Sequence, residues 1–283
     1  MRRSLSIVPA SLLLLNLATP AAAQQVAVSD DAARMHALHE HDAPVPSGAP
    51  RTPRVAVVSD TVVYGTVNGK QVTGFRSRPK DAKKDTPALV VVHEWYGLNN
   101  NIRAATERLA GEGYVALAVD LYSGDVAATP DSATKLMRRA LENPSAGQAN
   151  LAGAIDYLRA QGAKKVGSIG WCFGGRWSLE AGLVGGSKVQ AVVMYYGSPV
   201  TDPARLAALQ APLLGLFGSQ DAGIPVDSVK AMAAALDRLD KNETVQFFDA
   251  GHGFANPSGR NYNATAAESA WKSTTQFFEH YLK

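Results

Sequence analysis

Lys165-Val166-Gly167-Ser168-Ile169-Gly170-Trp171-Cys172-Phe173-Gly174-Gly175 is the stretch on which the chain's architecture turns. Lys165 to Ile169 has the length and apolar character of a buried strand, and a helix is expected from Gly175 to Leu183. A strand that bends this sharply into a helix holds the residue at the bend, Cys172, in a strained backbone conformation. Glycines two positions to either side leave room for the bend to pack against its neighbours. This is the nucleophile-elbow pattern with Cys in the Ser position. Free N–H groups at the start of the helix favour a thiolate, and the backbone N–H of Phe173 is the expected oxyanion donor. The competing reading of Cys172 is a buried, inert thiol, a common fate of free cysteine.

The pattern around this stretch alternates. Upstream, Thr61–Val67 and Lys70–Arg76 flank Asn68-Gly69 as a hairpin. Strands are expected at Ala88–His93, Tyr114–Val119, Val189–Tyr195, Leu213–Phe217 and Thr244–Phe248. Helices are expected at Ile102–Leu109, Ser132–Leu141, Gln148–Gln161, Asp227–Leu239 and Ala264–Tyr281. Strands separated by helices imply a mostly parallel sheet covered on both faces, with the hairpin as an antiparallel edge. In such sheets function gathers beyond the carboxyl ends of the strands. Two further groups lie there, in the chain order nucleophile, acid, histidine. Asp221 follows the strand at Leu213–Phe217, and His252 follows the strand at Thr244–Phe248. His252 would exchange a proton with Cys172, and Asp221 would set its tautomer and orientation. Asp249 also ends a strand and is the rival acid.

Composition narrows the alternatives. The 283 residues are 46% hydrophobic and 19% charged, enough for a packed core. A single cysteine excludes an intramolecular disulfide and clustered-cysteine metal sites. The net charge of +3 includes Arg2 and Arg3. No basic stripe suggests a nucleic-acid partner. Residues 1–23 read as a signal peptide: Arg2-Arg3, an apolar stretch from Leu5 to Leu17, and Ala21-Ala22-Ala23 before a cut at Gln24. Export to a periplasm or to the medium is the expectation, with no membrane span after cleavage. Residues 24–54, with Pro44, Pro46, Pro50 and Pro53, read as a flexible tether. His36, His39, Glu40, His41 and Asp42 within it read either as a solvated, weakly helical stretch or as a metal-capturing cluster. Residues 55–283 are expected to form one α/β domain.

The segment from about Val62 to the C-terminus resembles the dienelactone hydrolase family of α/β-hydrolases. Its motifs are His93-Glu94-Trp95-Tyr96-Gly97-Leu98-Asn99, Asp120-Leu121-Tyr122, Gly170 to Gly175, Gly218 to Pro225, and Gly251-His252-Gly253-Phe254. The resemblance implies an α/β-hydrolase fold, a Cys172–His252–Asp221 triad, and hydrolysis through a thioester acyl-enzyme. It also implies that Glu94 pairs with the resting thiol and that Trp95 N–H is the second oxyanion donor. Glu94 could otherwise simply anchor its loop. Family members hold a substrate carboxylate with two arginines, and here Ser123 and Asn256 stand near the matching places. Arg176 and Arg260 are possible substitutes. Tyr96, Tyr122, Trp171 and Phe254 suggest an aromatic substrate pocket.

The expected activity is cleavage of an ester, lactone or thioester of a small molecule, with no metal or organic cofactor. A small acyl substrate is the expected partner, and a monomer is the working expectation. The alternatives are a non-catalytic small-molecule binder on the same fold and a thiol that senses oxidants.

Overall fold

The computed structural model describes residues 32–40 and 53–283. Eight strands form one sheet: β1 (Val57–Val67), β2 (Lys70–Pro79), β3 (Ala88–Val92), β4 (Val115–Val119), β5 (Val166–Trp171), β6 (Ala191–Tyr195), β7 (Leu213–Gly218) and β8 (Glu243–Phe248). Their spatial order is β1-β2-β4-β3-β5-β6-β7-β8. β1 and β2 form the antiparallel hairpin, turning at Asn68-Gly69, where both residues have positive φ. β2 joins β4 antiparallel, and every pairing from β4 onward is parallel.

The helices are α1 (32–39), α2 (Asn100–Gly111), α3 (Pro130–Glu142), α4 (Pro144–Ala160), α5 (Phe173–Gly185), α6 (Pro203–Leu206), α7 (Val226–Arg238) and α8 (Ala264–Leu282). Every residue of β3, β5, β6 and β7 is buried, as expected of parallel strands covered on both faces. Arg108 of α2 lies over the Trp271 ring of α8 at 3.5 Å, which ties those two helices together. Gly174 lets α5 lie close to the end of β3, since a Cβ there would collide with the Val92 carbonyl.

The alternation read from the sequence is present, with element ends shifted by a few residues. Short α6 and a 3₁₀ turn at Gly186–Lys188 carry too few residues for a periodic signal. The larger difference lies within the stretch expected to be an unpacked tether. Residues 32–39 form a helix docked on the domain, with Ala32 and Met35 buried. Ala32, Met35 and His39 recur at the i, i+3, i+7 spacing of one helical face, which gives this short segment an apolar side to bury. Gly223 accommodates it, because a Cβ there would strike Leu38. His36 Nε2 lies 3.1 Å from Asp131 Oδ1 of α3. The signal-peptide reading of residues 1–23, together with His41 and Asp42, lies outside the described residues.

Candidate active site

The functional side chains stand on the turns that follow β3, β5, β7 and β8. At the end of β5, Cys172 has φ 56° and ψ −119°, a left-handed-side conformation that costs a non-glycine residue on the order of 1–3 kcal/mol. The bend is held by the Cys172 N–H, which donates to the Tyr195 carbonyl at 3.0 Å. Cys172 is also the N-cap of α5, so the sulfur sits where the helix dipole favours negative charge. Phe173 opens α5, and its N–H belongs to the first turn, which has no intrahelical acceptor.

His252 arrives from the turn after β8. Its Nε2 is 3.3 Å from Cys172 Sγ, and its Nδ1 is 2.7 Å from Asp221 Oδ2. Asp221 is fixed in turn, because its Oδ1 accepts the N–H groups of Gly223 at 2.8 Å and Ile224 at 2.9 Å. The side chains of His252 and Asp221 are fully enclosed. The rival acid, Asp249, is exposed and accepts from Gln220 Nε2 at 2.6 Å. Geometry therefore selects Asp221 as the partner of the imidazole.

Electrostatics couples the pair. Burial pushes the Cys172 thiol up, but the neighbouring His252 charge, its hydrogen bond and then His39 outweigh burial and bring it down to about 6. Burial lowers His252, yet the sulfur's charge and the Asp221 hydrogen bond raise it to about 10. The direction is that of a thiolate–imidazolium pair. Glu94, just past β3, is raised to about 8 by burial first and the Cys172 charge second. Its hydrogen bonds run to other groups: it accepts from Asn256 Nδ2 at 2.7 Å and from Tyr196 Oη at 3.5 Å. Glu94 thus senses the sulfur through charge, while the sulfur's own contacts are His252, Met35 and His39.

Those last two contacts come from α1. Met35 Sδ is 3.6 Å from Cys172 Sγ, and His39 Nε2 is 4.0 Å from it. The His39 ring lies 4.6 Å from that of Trp95 and meets His252 edge-on at 5.3 Å. Under this cover the cavity at the sulfur holds only about 20 Å³, room for about one water. Tyr96 and Arg260 share that cavity with Glu94 and Trp95. A second cavity of about 100 Å³ adjoins it, walled by Trp171, Tyr195, Tyr196 and Trp271, with Glu94 and Asn256 common to both.

Two expected pocket residues stand elsewhere. Tyr122 is fully buried between His93 and Phe173, with ring centroids at 4.6 and 5.4 Å. Phe254 is fully buried against Tyr196 and Phe248. Both are core, because the aromatic turns fold inward behind the site. Of the possible substitute arginines, Arg176 is bound to Glu180 at 3.1 Å, whereas Arg260 lines the cavity at Cys172. His93 is structural: its Nδ1 donates to the Glu94 carbonyl at 2.7 Å, and its Nε2 accepts from the Leu121 N–H at 3.1 Å. Met35 and Tyr196 were missed in the sequence. The helical spacing of Met35 and His39 was the available signal for the cover. Tyr196 carries none beyond its place after β6, apart from a positive φ visible only in the fold.

This arrangement on this sheet has known relatives. The dienelactone hydrolase family profile matches residues 72–282. The chain belongs to the dienelactone hydrolase family. Its membership makes it an enzyme, a carboxylic ester hydrolase of the α/β-hydrolase superfamily. A protein of Escherichia coli K12 with the provisional name carboxymethylenebutenolidase is 31% identical over 258 residues, covering 84% of this chain and 93% of that protein. A crystal structure from Klebsiella pneumoniae, provisionally called a dienelactone hydrolase, matches with TM-score 0.72 and 26% identity over 80% of this chain and all of that one. The dienelactone hydrolase of Anabaena variabilis, at 23% identity and TM-score 0.63, shares the fold over 80% of this chain and 99% of its own. Among the described residues no helix is long and apolar enough to cross a membrane.

Proposed function

We propose that this hydrolase cleaves small carboxylic esters, lactones or thioesters through a Cys172–His252–Asp221 triad and a thioester acyl-enzyme. The observation that supports it is the continuous pair of contacts, Cys172 Sγ to His252 Nε2 at 3.3 Å and His252 Nδ1 to Asp221 Oδ2 at 2.7 Å, at a strained bend opening α5. In this reading the thiolate adds to the carbonyl carbon, forming a C–S bond and an oxyanion that accepts from the N–H groups of Phe173 and Trp95. The imidazolium of His252 passes its proton to the leaving alkoxide as the C–O bond breaks. Neutral His252 then takes a proton from water, the hydroxide attacks the thioester, and Cys172 departs as thiolate. Asp221 stays ionised and stabilises the imidazolium in both steps.

The substrate side of the proposal follows from the walls. The aromatic cavity beside Glu94 suits an apolar acyl or alcohol group, and Arg260 offers a cation to a carboxylate where Asn256 cannot. Glu94, raised to about 8, would shift its proton balance when Cys172 is acylated and loses its charge. Export belongs to the same proposal, carried by the Arg2-Arg3 start, the apolar stretch and Ala21-Ala22-Ala23. N-terminal sequencing of the cell-exported protein should begin at Gln24, and an intact Met1 on that protein would overturn export by cleavage.

An activated aryl acetate tests the mechanism. We expect a burst of aryl alcohol equal to the enzyme concentration, followed by slower turnover, and loss of both in Cys172→Ala. Equal turnover in that variant would refute the acyl-enzyme.

A further inference from the structure

Four side chains of metal-binding type meet at the covered sulfur, two from α1 and two from the domain. Met35 Sδ lies 3.6 Å, His252 Nε2 3.3 Å and His39 Nε2 4.0 Å from Cys172 Sγ. The ligand atoms of His39, Cys172 and His252 all fall within 4.8 Å of one another. Around a tetrahedral ion bound at ordinary metal–sulfur and metal–nitrogen lengths, neighbouring donor atoms stand about 3.3–3.8 Å apart. The three separations from the sulfur match that spacing within a few tenths of an ångström, and the histidine donors, within 4.8 Å of each other, would draw together around an ion to complete the shell. Met35 and His39 sit four residues apart, on one face of α1.

The surroundings are those of a ligand shell. His252 has its Nδ1 engaged by a buried carboxylate, the partner that commonly orients a metal-bound imidazole and leaves Nε2 as the donor. His39 is steadied against the Trp95 ring. Hard oxygen donors are turned away, since the Glu94 carboxylate is engaged by Asn256 and Tyr196. His36, the other α1 histidine, faces Asp131 instead.

We propose that Met35, His39, Cys172 and His252 form a binding site for a soft monovalent cation, cuprous ion in preference to zinc, which clamps α1 onto the nucleophile and stops hydrolysis. A thiolate and a thioether in one shell favour Cu(I), whereas a thioether adds little for Zn(II). Binding moves no electrons: the ion enters, bonds form to two sulfurs and two nitrogens, and the proton shared by Cys172 and His252 leaves to solvent. The inhibitory half of this proposal rests on the hydrolase reading above; the metal site itself does not.

The test uses the full-length, untagged chain under anaerobic conditions. Cuprous ion, supplied as its acetonitrile complex, is titrated against bathocuproine disulfonate, with Zn(II) titrated in parallel against a zinc chelator. We expect one Cu(I) per chain, a copper-edge X-ray absorption spectrum with two sulfur and two nitrogen neighbours, and loss of aryl acetate turnover that excess chelator restores. Met35→Leu, which keeps volume and apolar packing, should weaken Cu(I) at least about tenfold while moving Zn(II) little, and His39→Ala should weaken both ions at least about tenfold. Unchanged Cu(I) affinity in both variants, or a spectrum with a single sulfur, would overturn the site. Metal-free enzyme that turns over ester but takes up no copper refutes this inference and spares the hydrolase reading. Metal-free enzyme that is inert yet binds copper in the stated shell does the reverse.

Discussion

Asp221 and Asp249 both end strands and differ by what lies within reach of them. Asp221 holds His252 Nδ1 at 2.7 Å from inside the protein, while Asp249 faces Gln220 at the surface. Asp221→Asn should therefore cost about 10³–10⁴ in kcat, because an amide cannot stabilise the imidazolium or enforce its tautomer. Asp249→Asn should stay within about twofold. Comparable losses in the two variants, measured by steady-state hydrolysis, would remove Asp221 from its role. The same coupling sets the pH profile. Cys172 is depressed to about 6, so kcat/KM should rise as pH climbs through that value and the thiolate forms. His252 is raised to about 10, so activity should fall as the imidazolium proton needed by the leaving group is lost there. These limbs belong to the coupled pair. A single rising limb centred near the ordinary thiol range would contradict a resting ion pair.

Helix α1 changes what substrate meets first. The sulfur is buried and touches Met35, so the proposed mechanism requires α1 to give way before a substrate carbonyl reaches it. The contacts of the helix include Met35 at the sulfur, His39 on the Trp95 ring, Leu38 over Gly223 and an exposed His36–Asp131 pair worth little. Leu38→Ala removes half-buried apolar area and should shift the population toward the open form. We expect faster tryptic cleavage at Arg34 and a kcat/KM for aryl esters raised about three- to tenfold. Unchanged rate with cleavage accelerated would mean that opening does not limit access. β3, β5, β6 and β7 offer no comparable opening, because every residue in them is buried.

Stability of the assembled domain draws on a charge cluster built around one buried carboxylate. Glu180 of α5, 4% exposed, receives Arg176 of its own helix at 3.1 Å and, more closely, Arg205 of α6. Glu180→Ala leaves two partly exposed arginines without their shared counter-charge and should destabilise the protein by about 1–3 kcal/mol once solvent screening is counted, read as a lowered midpoint in urea. A midpoint shift equivalent to less than about 1 kcal/mol would show that solvent already screens the cluster.

The elbow and the strand–helix alternation were legible in the chain because each is local, and the order of nucleophile, acid and histidine followed from placing each just after a strand. A period of apolar residues or a glycine two places from a cysteine carries its meaning within a dozen positions. Family motifs added Glu94 and Trp95 by position alone. The withdrawal of Tyr122 and Phe254 into the core and the docking of 32–39 against Cys172 were not legible. Each is a contact between segments many residues apart: Met35 and Cys172 are separated by 137 positions. No local pattern encodes which distant surfaces meet, since that follows from how the sheet and its loops pack in three dimensions. A short amphipathic face reveals only that it has something to bury, and packing alone selects the sulfur beneath it.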